Sequence, residues 1–170
     1  MDKDVDAFDK QILEKCEGKQ NIFIFVSKSD EIDTIPIINK LLELGKTIIV
    51  PVCSTEDNII KLSKINIVEG LVQSSYGILE PKSEDVIPFS KDDIDIFFVP
   101  GTKFDKKGNR KGRGKGYFDR FLADIKGKKP IIGLCYEDQI VEKLMQNKWD
   151  VPVDKVISMH RQIVFGQDNC

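Results

Sequence analysis

Between Lys103 and Arg120 the chain carries Lys106, Lys107, Arg110, Lys111, Arg113 and Lys115, interrupted by Gly108, Gly112, Gly114 and Gly116. Only Asp105 and Asp119 oppose these cations. Residues of these types at this spacing hold anions. Glycines let backbone N–H groups approach phosphate oxygens, and lysine and arginine neutralise the charge. The segment follows an apolar strand and a Pro100-Gly101 turn, and it runs into a helix opened by Tyr117. A helix N-terminus adds a favourable dipole for negative charge. Read from these residues alone, the loop fits phosphate chemistry and also a solvated or RNA-contacting loop. Aromatic residues for base stacking are few: Phe104, Tyr117 and Phe118.

The elements that must position this loop alternate between strands and helices. The spacing predicts a helix over Val5–Glu17, with Val5, Phe8, Ile12 and Leu13 on one face. A second helix is expected over Thr34–Leu44, stopped by Gly45, and a third over Tyr117–Lys126. Apolar strands are expected at Asn21–Val26, Thr47–Val52, Ile94–Val99 and Pro130–Cys135, with a short one at Ile59–Leu62. Glu80–Lys91 reads as a loop, and Val151–Ser158 as a turn followed by a last strand. Continuous apolar strands joined by helices predict an α/β three-layer sandwich, its largely parallel sheet covered on both faces. Ligands of such sheets bind beyond the C-terminal strand ends, where Pro100–Gly116 begins.

A chain of 170 residues with 41% hydrophobic content can form one domain, expected here over residues 1–170. A net charge of -2 argues against general binding of nucleic acid or anionic membranes. No apolar run is long enough for a membrane span, and a cytoplasmic monomer is expected. Cys16, Cys53, Cys135 and Cys170 have no CxxC spacing and read as reduced thiols. His160 is the only histidine, which disfavours a His-based relay or a multi-His metal site; it reads as a surface residue. Trp149 reads as a packing residue. Gly45-Lys46-Thr47 has the ending of a P-loop, but Lys40 stands where the first glycine is required.

Pro100, Gly101, Phe104, Asp105, Gly108, Arg110, Gly112, Gly114, Gly116, Tyr117, Asp119, Arg120 and Leu122 spell PGxxFDxxGxRxGxGxGYxDRxL. This pattern resembles the signature of the 5-formyltetrahydrofolate cyclo-ligase (5,10-methenyltetrahydrofolate synthetase) family. SKSDEIDTIPIINKLLELGKTIIVP, YGILEP and WDVPVDKVIS are similar to further family segments, in the same order. The resemblance covers roughly Phe23 to Ser158. It implies a NagB/RpiA/CoA-transferase-like fold. The activity it implies is ATP- and Mg²⁺-dependent closure of 5-formyltetrahydrofolate to 5,10-methenyltetrahydrofolate, with ADP and phosphate released. No nucleic acid or membrane partner is expected. A non-catalytic member binding folate, nucleotide or RNA is the alternative.

The resemblance also implies site residues. ATP phosphates would lie over Arg110, Lys111, Gly112, Arg113, Gly114, Lys115, Gly116, Tyr117 and Phe118. The run Arg113 to Tyr117 would also face the folate, with Arg113, Lys115 and Tyr117 as candidate catalytic side chains. Lys28, Asp33 and Tyr76 fall at substrate positions. There Lys28 replaces an apolar residue, and Asp33 would hold the pterin. Asp119 and Asp154 would hold Mg²⁺. Local structure offers other roles: a first-turn charge for Asp119, a turn for Asp154, a helix cap for Asp33 beside Thr34, and packing for Tyr76. Two departures stand out. Phe118 replaces the second tyrosine of the usual GYYD. The family's first helix, which brings a lysine and an arginine to ATP, has no counterpart, and Lys3 and Lys10 are the nearest substitutes.

Overall fold

Successive side chains of a strand point to opposite sides of a sheet, and here both sides are apolar. Ile22, Ile24, Ile48, Val50, Ile96, Phe98, Ile132 and Leu134 belong to one core. Their neighbours Phe23, Ile49, Phe97, Val99, Ile131 and Cys135 belong to the other. A sheet with two apolar faces requires a helical layer on each. The computed structural model describes residues 3–53, 59–74, 77–114 and 116–161. Its elements in chain order are α1 (Lys3–Lys15), β1 (Asn21–Ile24), α2 (Ile35–Glu43), β2 (Thr47–Cys53), β3 (Ile60–Ile65), β4 (Val72–Gln73) and β5 (Leu79–Glu80). Then follow β6 (Ile87–Pro88), β7 (Ile96–Val99), β8 (Lys103–Asp105), β9 (Arg110–Lys111), α3 (Tyr117–Leu122), β10 (Ile131–Tyr136), β11 (Ile140–Val141) and β12 (Lys155–Met159).

The main sheet has the order β12-β10-β7-β1-β2-β3-β6. Strands β12 through β2 are parallel, and β3 and β6 add antiparallel at one edge. Helices α1 and α2 cover one face through Phe8, Ile12, Ile37, Ile38 and Leu41. Full burial of each such side chain is worth roughly 1.5–3 kcal/mol. Helix α2 starts with Pro36 in its first turn. It ends in a Schellman turn: Lys46 N–H donates to Leu41 O, Gly45 N–H donates to Leu42 O, and Gly45 has φ 81°. Helix α3 covers the other face with Phe121 and Leu122, and Ile125 follows.

The expected layers and parallel sheet are present, with local differences. Helix α3 stops at Leu122 because the chain tightens: Ile125 N–H donates to Leu122 O, and Gly127 at φ 84° ends the segment. Strand β1 stops at Ile24, where the Phe25 carbonyl accepts the Thr34 hydroxyl instead of a sheet partner. The expected loop Glu80–Lys91 contains β6, which pairs with β3. Trp149 is 73% exposed and is not a packing residue. His160 is exposed and pairs with Glu137. Cys16, Cys53 and Cys135 are free thiols, and burial pushes them up to about 11, 11 and 12.

The glycine-rich segment opens with a hairpin that sequence periodicity did not reveal. Strands β8 and β9 pair antiparallel, and β11 joins β8. Asp105 makes the turn. Its Oδ1 accepts Lys107 N–H and Asn109 N–H, while Oδ2 accepts the Asn109 amide and Leu144 N–H. Burial opposes the charge of Asp105, yet these donors hold its carboxyl below the usual range. Gly108 has φ 87°, and a Cβ there would lie 2.4 Å from the Val153 carbonyl oxygen. Gly108→Ala is therefore expected to cost roughly 2–5 kcal/mol of stability. Gly114→Ala, at φ 94° with open space around it, should cost only about 1–2 kcal/mol. Urea unfolding of both variants checks this, and equal losses would refute the close approach.

Candidate active site

Strand β1 lies between β2, which follows it in sequence, and β7, which comes later. The chain thus reverses its winding at β1 and β7, and the crevice beyond their C-terminal ends is the expected ligand site. A cavity of about 290 Å³ opens there. The loop after β1 contributes Asp30 and Glu31, and the turn after β7 contributes Gly101, Thr102 and Lys103. Asp138, Gln139 and Arg161 come from the ends of β10 and β12, and Arg113 comes from the glycine-rich loop. Gln139 ties this floor together. Its side-chain amide donates to the Gly101 and Thr102 carbonyls, and its oxygen accepts Tyr136 N–H.

Arg113 spans the crevice. Its Nη2 lies 3.1 Å from both carboxylate oxygens of Asp30 and 3.6 Å from Glu31 Oε2. The bond from Arg113 holds the Asp30 carboxyl below its ordinary range. Burial pushes the Glu31 carboxyl up, although the Lys28 N–H bond works against this. Arg161 grips Asp138 through Nε at 2.7 Å and Nη2 at 3.1 Å, and its guanidinium sits over Tyr136.

The sequence-derived residues divide between crevice and scaffold. Gly112, Gly114, Gly116 and Tyr117 follow the loop into α3, where Arg120 lies over the Tyr117 ring. Gly116 adopts φ 70°. Lys111 is exposed on β9. Lys28 begins a turn closed by its N–H bond to Glu31 Oε1, 2.7 Å. Asp33 accepts the Ile35 N–H and the Ser27 hydroxyl, so it occupies the helix start beside Thr34. Lys10 is exposed on α1. Tyr76, Lys115 and the side chain of Lys3 lie outside the described residues.

Arg110 differs from the expectation of a phosphate contact. Its side chain is 3% exposed, with Nη1 donating to the Pro100 carbonyl at 2.8 Å and Nη2 3.6 Å from Asp119. The guanidinium lies over the Phe118 ring, so Phe118 also serves the scaffold. Burial lowers the guanidinium pKa from its ordinary value, and the charges of Asp119 and Asp150 oppose that shift. Gly101 and Gly112 lie close beside the Arg110 side chain, where an added Cβ would crowd it.

Asp154 likewise departs from its expected partnership with Asp119. Its Oδ2 accepts Ile131 N–H at the N-terminal end of β10, and its Oδ1 pairs with Lys126 in the segment after α3. Asp119 Oδ1 instead accepts Val151 N–H. That bond brings the backbone next to Asp150 onto Asp119, and the Asp150 charge acts on Arg110, while Asp150 Oδ2 accepts Asn147 N–H. Asp150 lies in the WDVPVD segment, and only its position against α3 distinguishes it from Asp154. Among the described residues no group of three or more metal-binding side chains forms. Mg²⁺ keeps several waters, so the oxygen donors of Asp119 and Asp150 fit it.

Among the described residues, no helix is long and apolar enough to cross a membrane. The model of the 5-formyltetrahydrofolate cyclo-ligase family matches residues 3–159. The 5-formyltetrahydrofolate cyclo-ligase of Haemophilus influenzae is 35% identical over 151 residues, covering 86% of this chain and 79% of that protein. The enzyme of the same name from Mus musculus is 32% identical, covering 83% and 74%. The solution structure of Aquifex aeolicus 5,10-methenyltetrahydrofolate synthetase superimposes with a TM-score of 0.70 at 25% identity, over 96% of this chain and 88% of that one. With the signature loop placed over the crevice of a fold shared with these proteins, the chain belongs to the 5-formyltetrahydrofolate cyclo-ligase family.

Proposed function

We propose that this chain is a single-domain, monomeric enzyme that closes 5-formyltetrahydrofolate to 5,10-methenyltetrahydrofolate at the expense of ATP, releasing ADP and phosphate. The observation that carries the reading is Arg113, set across the switch-point crevice on a glycine-rich loop. A formamide oxygen is a poor leaving group. Its attack on the γ-phosphorus forms an O–P bond as the bond to ADP breaks, leaving an iminium phosphate. N10 then attacks the formyl carbon, its proton departs, and the C–O bond breaks to release phosphate. The protein's task is to align the γ-phosphate with the formyl oxygen and to balance charge.

Arg113 meets the transferring phosphoryl group, with Lys115 and Tyr117 alongside. Backbone donors from Lys111 to Phe118 cradle the phosphates. Arg110 acts from below by fixing the base of the loop. Lys28, Asp33 and Tyr76 border the pterin end. Asp119 and Asp150 are the residues that would hold Mg²⁺, which when bound shields phosphate charge. Incubation of the protein with 5-formyltetrahydrofolate and MgATP is expected to yield the methenyl product, followed by its near-ultraviolet absorbance, with equimolar ADP. Binding of both ligands without product would overturn the catalytic reading and favour a non-catalytic folate or nucleotide binder.

A further inference from the structure

The one exposed aromatic ring among the described residues is Trp149, at 73% exposure. A lone surface leucine needs no account, but an indole carries a large apolar surface and is seldom left in water. Its backbone is firmly held. Trp149 N–H donates to Asn147 Oδ1 at 2.8 Å, Asn147 N–H donates to Asp150 Oδ2 at 2.9 Å, and Asp150 N–H donates to the Asn147 carbonyl at 3.2 Å. Two residues on, Val151 N–H donates to Asp119 Oδ1 at 3.0 Å, and Val151 joins Phe121 and Leu122 in the core. The ring is therefore presented on a closed turn anchored to α3, the helix into which the glycine-rich loop runs. Lys148 Nζ stands 4.9 Å from the ring centroid, over one face.

A flat ring on a fixed backbone, with a cation over one face and the other face toward solvent, is a stacking platform. Stacking of a base on an aromatic ring requires only two π-faces, and a neighbouring cation suits a polyanionic ligand. We propose that Trp149 stacks the purine base of ATP while the glycine-rich loop holds the phosphates. This inference rests on the ATP-dependent reading above. The position of the ring selects the base over the pterin. Lys28 and Asp33, at the pterin end, lie between β1 and α2, and α2 covers one face of the sheet. The turn of Trp149 is tied to α3, which covers the other face.

The chain holds a single tryptophan, so its fluorescence reports this ring alone. Titration with MgATP is expected to quench the emission saturably, because a stacked base replaces water on the ring. Inorganic tripolyphosphate, which fills the phosphate loop without a base, should leave the emission nearly unchanged. Trp149→Ala should raise the calorimetric Kd for ATP by about five- to a hundredfold, the usual worth of one base–aromatic stack, and leave that for tripolyphosphate within about twofold. In turnover the loss should appear in KM for ATP rather than in kcat, since the base is held equally in ground and transition states. Trp149→Phe keeps a π-face and should recover most of the affinity. Both variants alter an exposed side chain and should unfold close to the wild-type temperature. Equal quenching by tripolyphosphate and ATP, an unchanged Kd for ATP in Trp149→Ala, or a loss confined to 5-formyltetrahydrofolate binding would each overturn the proposal. Protein that binds no ATP defeats the ATP-dependent reading and this proposal with it, whereas ATP bound beside a silent tryptophan defeats only the latter.

Discussion

Arg113→Ala should lower turnover on the order of a hundredfold or more, the usual loss when one preorganised group facing transition-state charge is removed. The folded state should hardly notice. Arg113 is partly exposed and its named partners are Asp30 and Glu31 at the crevice rim. Ion pairs of this kind contribute at most about 1 kcal/mol. Methenyl formation and thermal unfolding measured on the same preparation separate the two effects. Near-normal turnover with a large drop in melting temperature would make Arg113 a structural residue and remove the cation from the chemistry.

Asp119→Asn should do two things at once. Asparagine can still accept the Val151 N–H, but it leaves the buried Arg110 guanidinium without its nearest counter-charge. Breaking a buried pair from one side costs roughly 3 kcal/mol. The same change removes a hard oxygen donor, and the Mg²⁺ concentration required for turnover should rise at least about tenfold. Asp150→Asn should raise the Mg²⁺ requirement with little loss of stability. Asp154→Asn should do the reverse. It weakens the bonds to Lys126 and Ile131, costs about 1 kcal/mol, and leaves the Mg²⁺ titration unchanged. A shifted titration for Asp154→Asn beside an unshifted one for Asp150→Asn would return the metal to Asp154.

Much of the architecture was legible because it follows from local rules. Apolar runs such as Thr47–Val52 have no polar face and must be covered twice. Ile35, Ile38, Leu41 and Leu42 recur at helical spacing, and Gly45 is the residue type that ends a helix in a left-handed turn. The loop's run of glycine, lysine and arginine was legible as a place suited to anions, while its residues alone fitted a solvated or RNA-contacting loop as well. The edges of elements were less so. Strand β6 exists because β3 offers it hydrogen bonds, and nothing within Ile87-Pro88 signals that pairing.

What the sequence determined by itself is therefore a doubly covered sheet, a cationic loop leaving one strand end, and the acids and bases available to a site. Which of those charges serve the crevice was decided by tertiary structure. Arg110 and Arg113 are three residues apart in one motif, and their side chains have opposite fates. Pairing of β9 with β8 places Arg110 beneath the loop, where Pro100, Phe118 and Asp119 enclose it. The glycines beyond β9 carry Arg113 out to Asp30 and Glu31, residues 83 positions from Arg113 in the case of Asp30. Asp150 and Asp154 differ in the same way, the charge of one acting on Arg110 and the other bound at the start of β10. The physical reason is that a charge is as content with solvent as with a partner. Its orientation is set by whichever distant backbone group or counter-charge the fold brings within reach, and local spacing carries no record of that encounter.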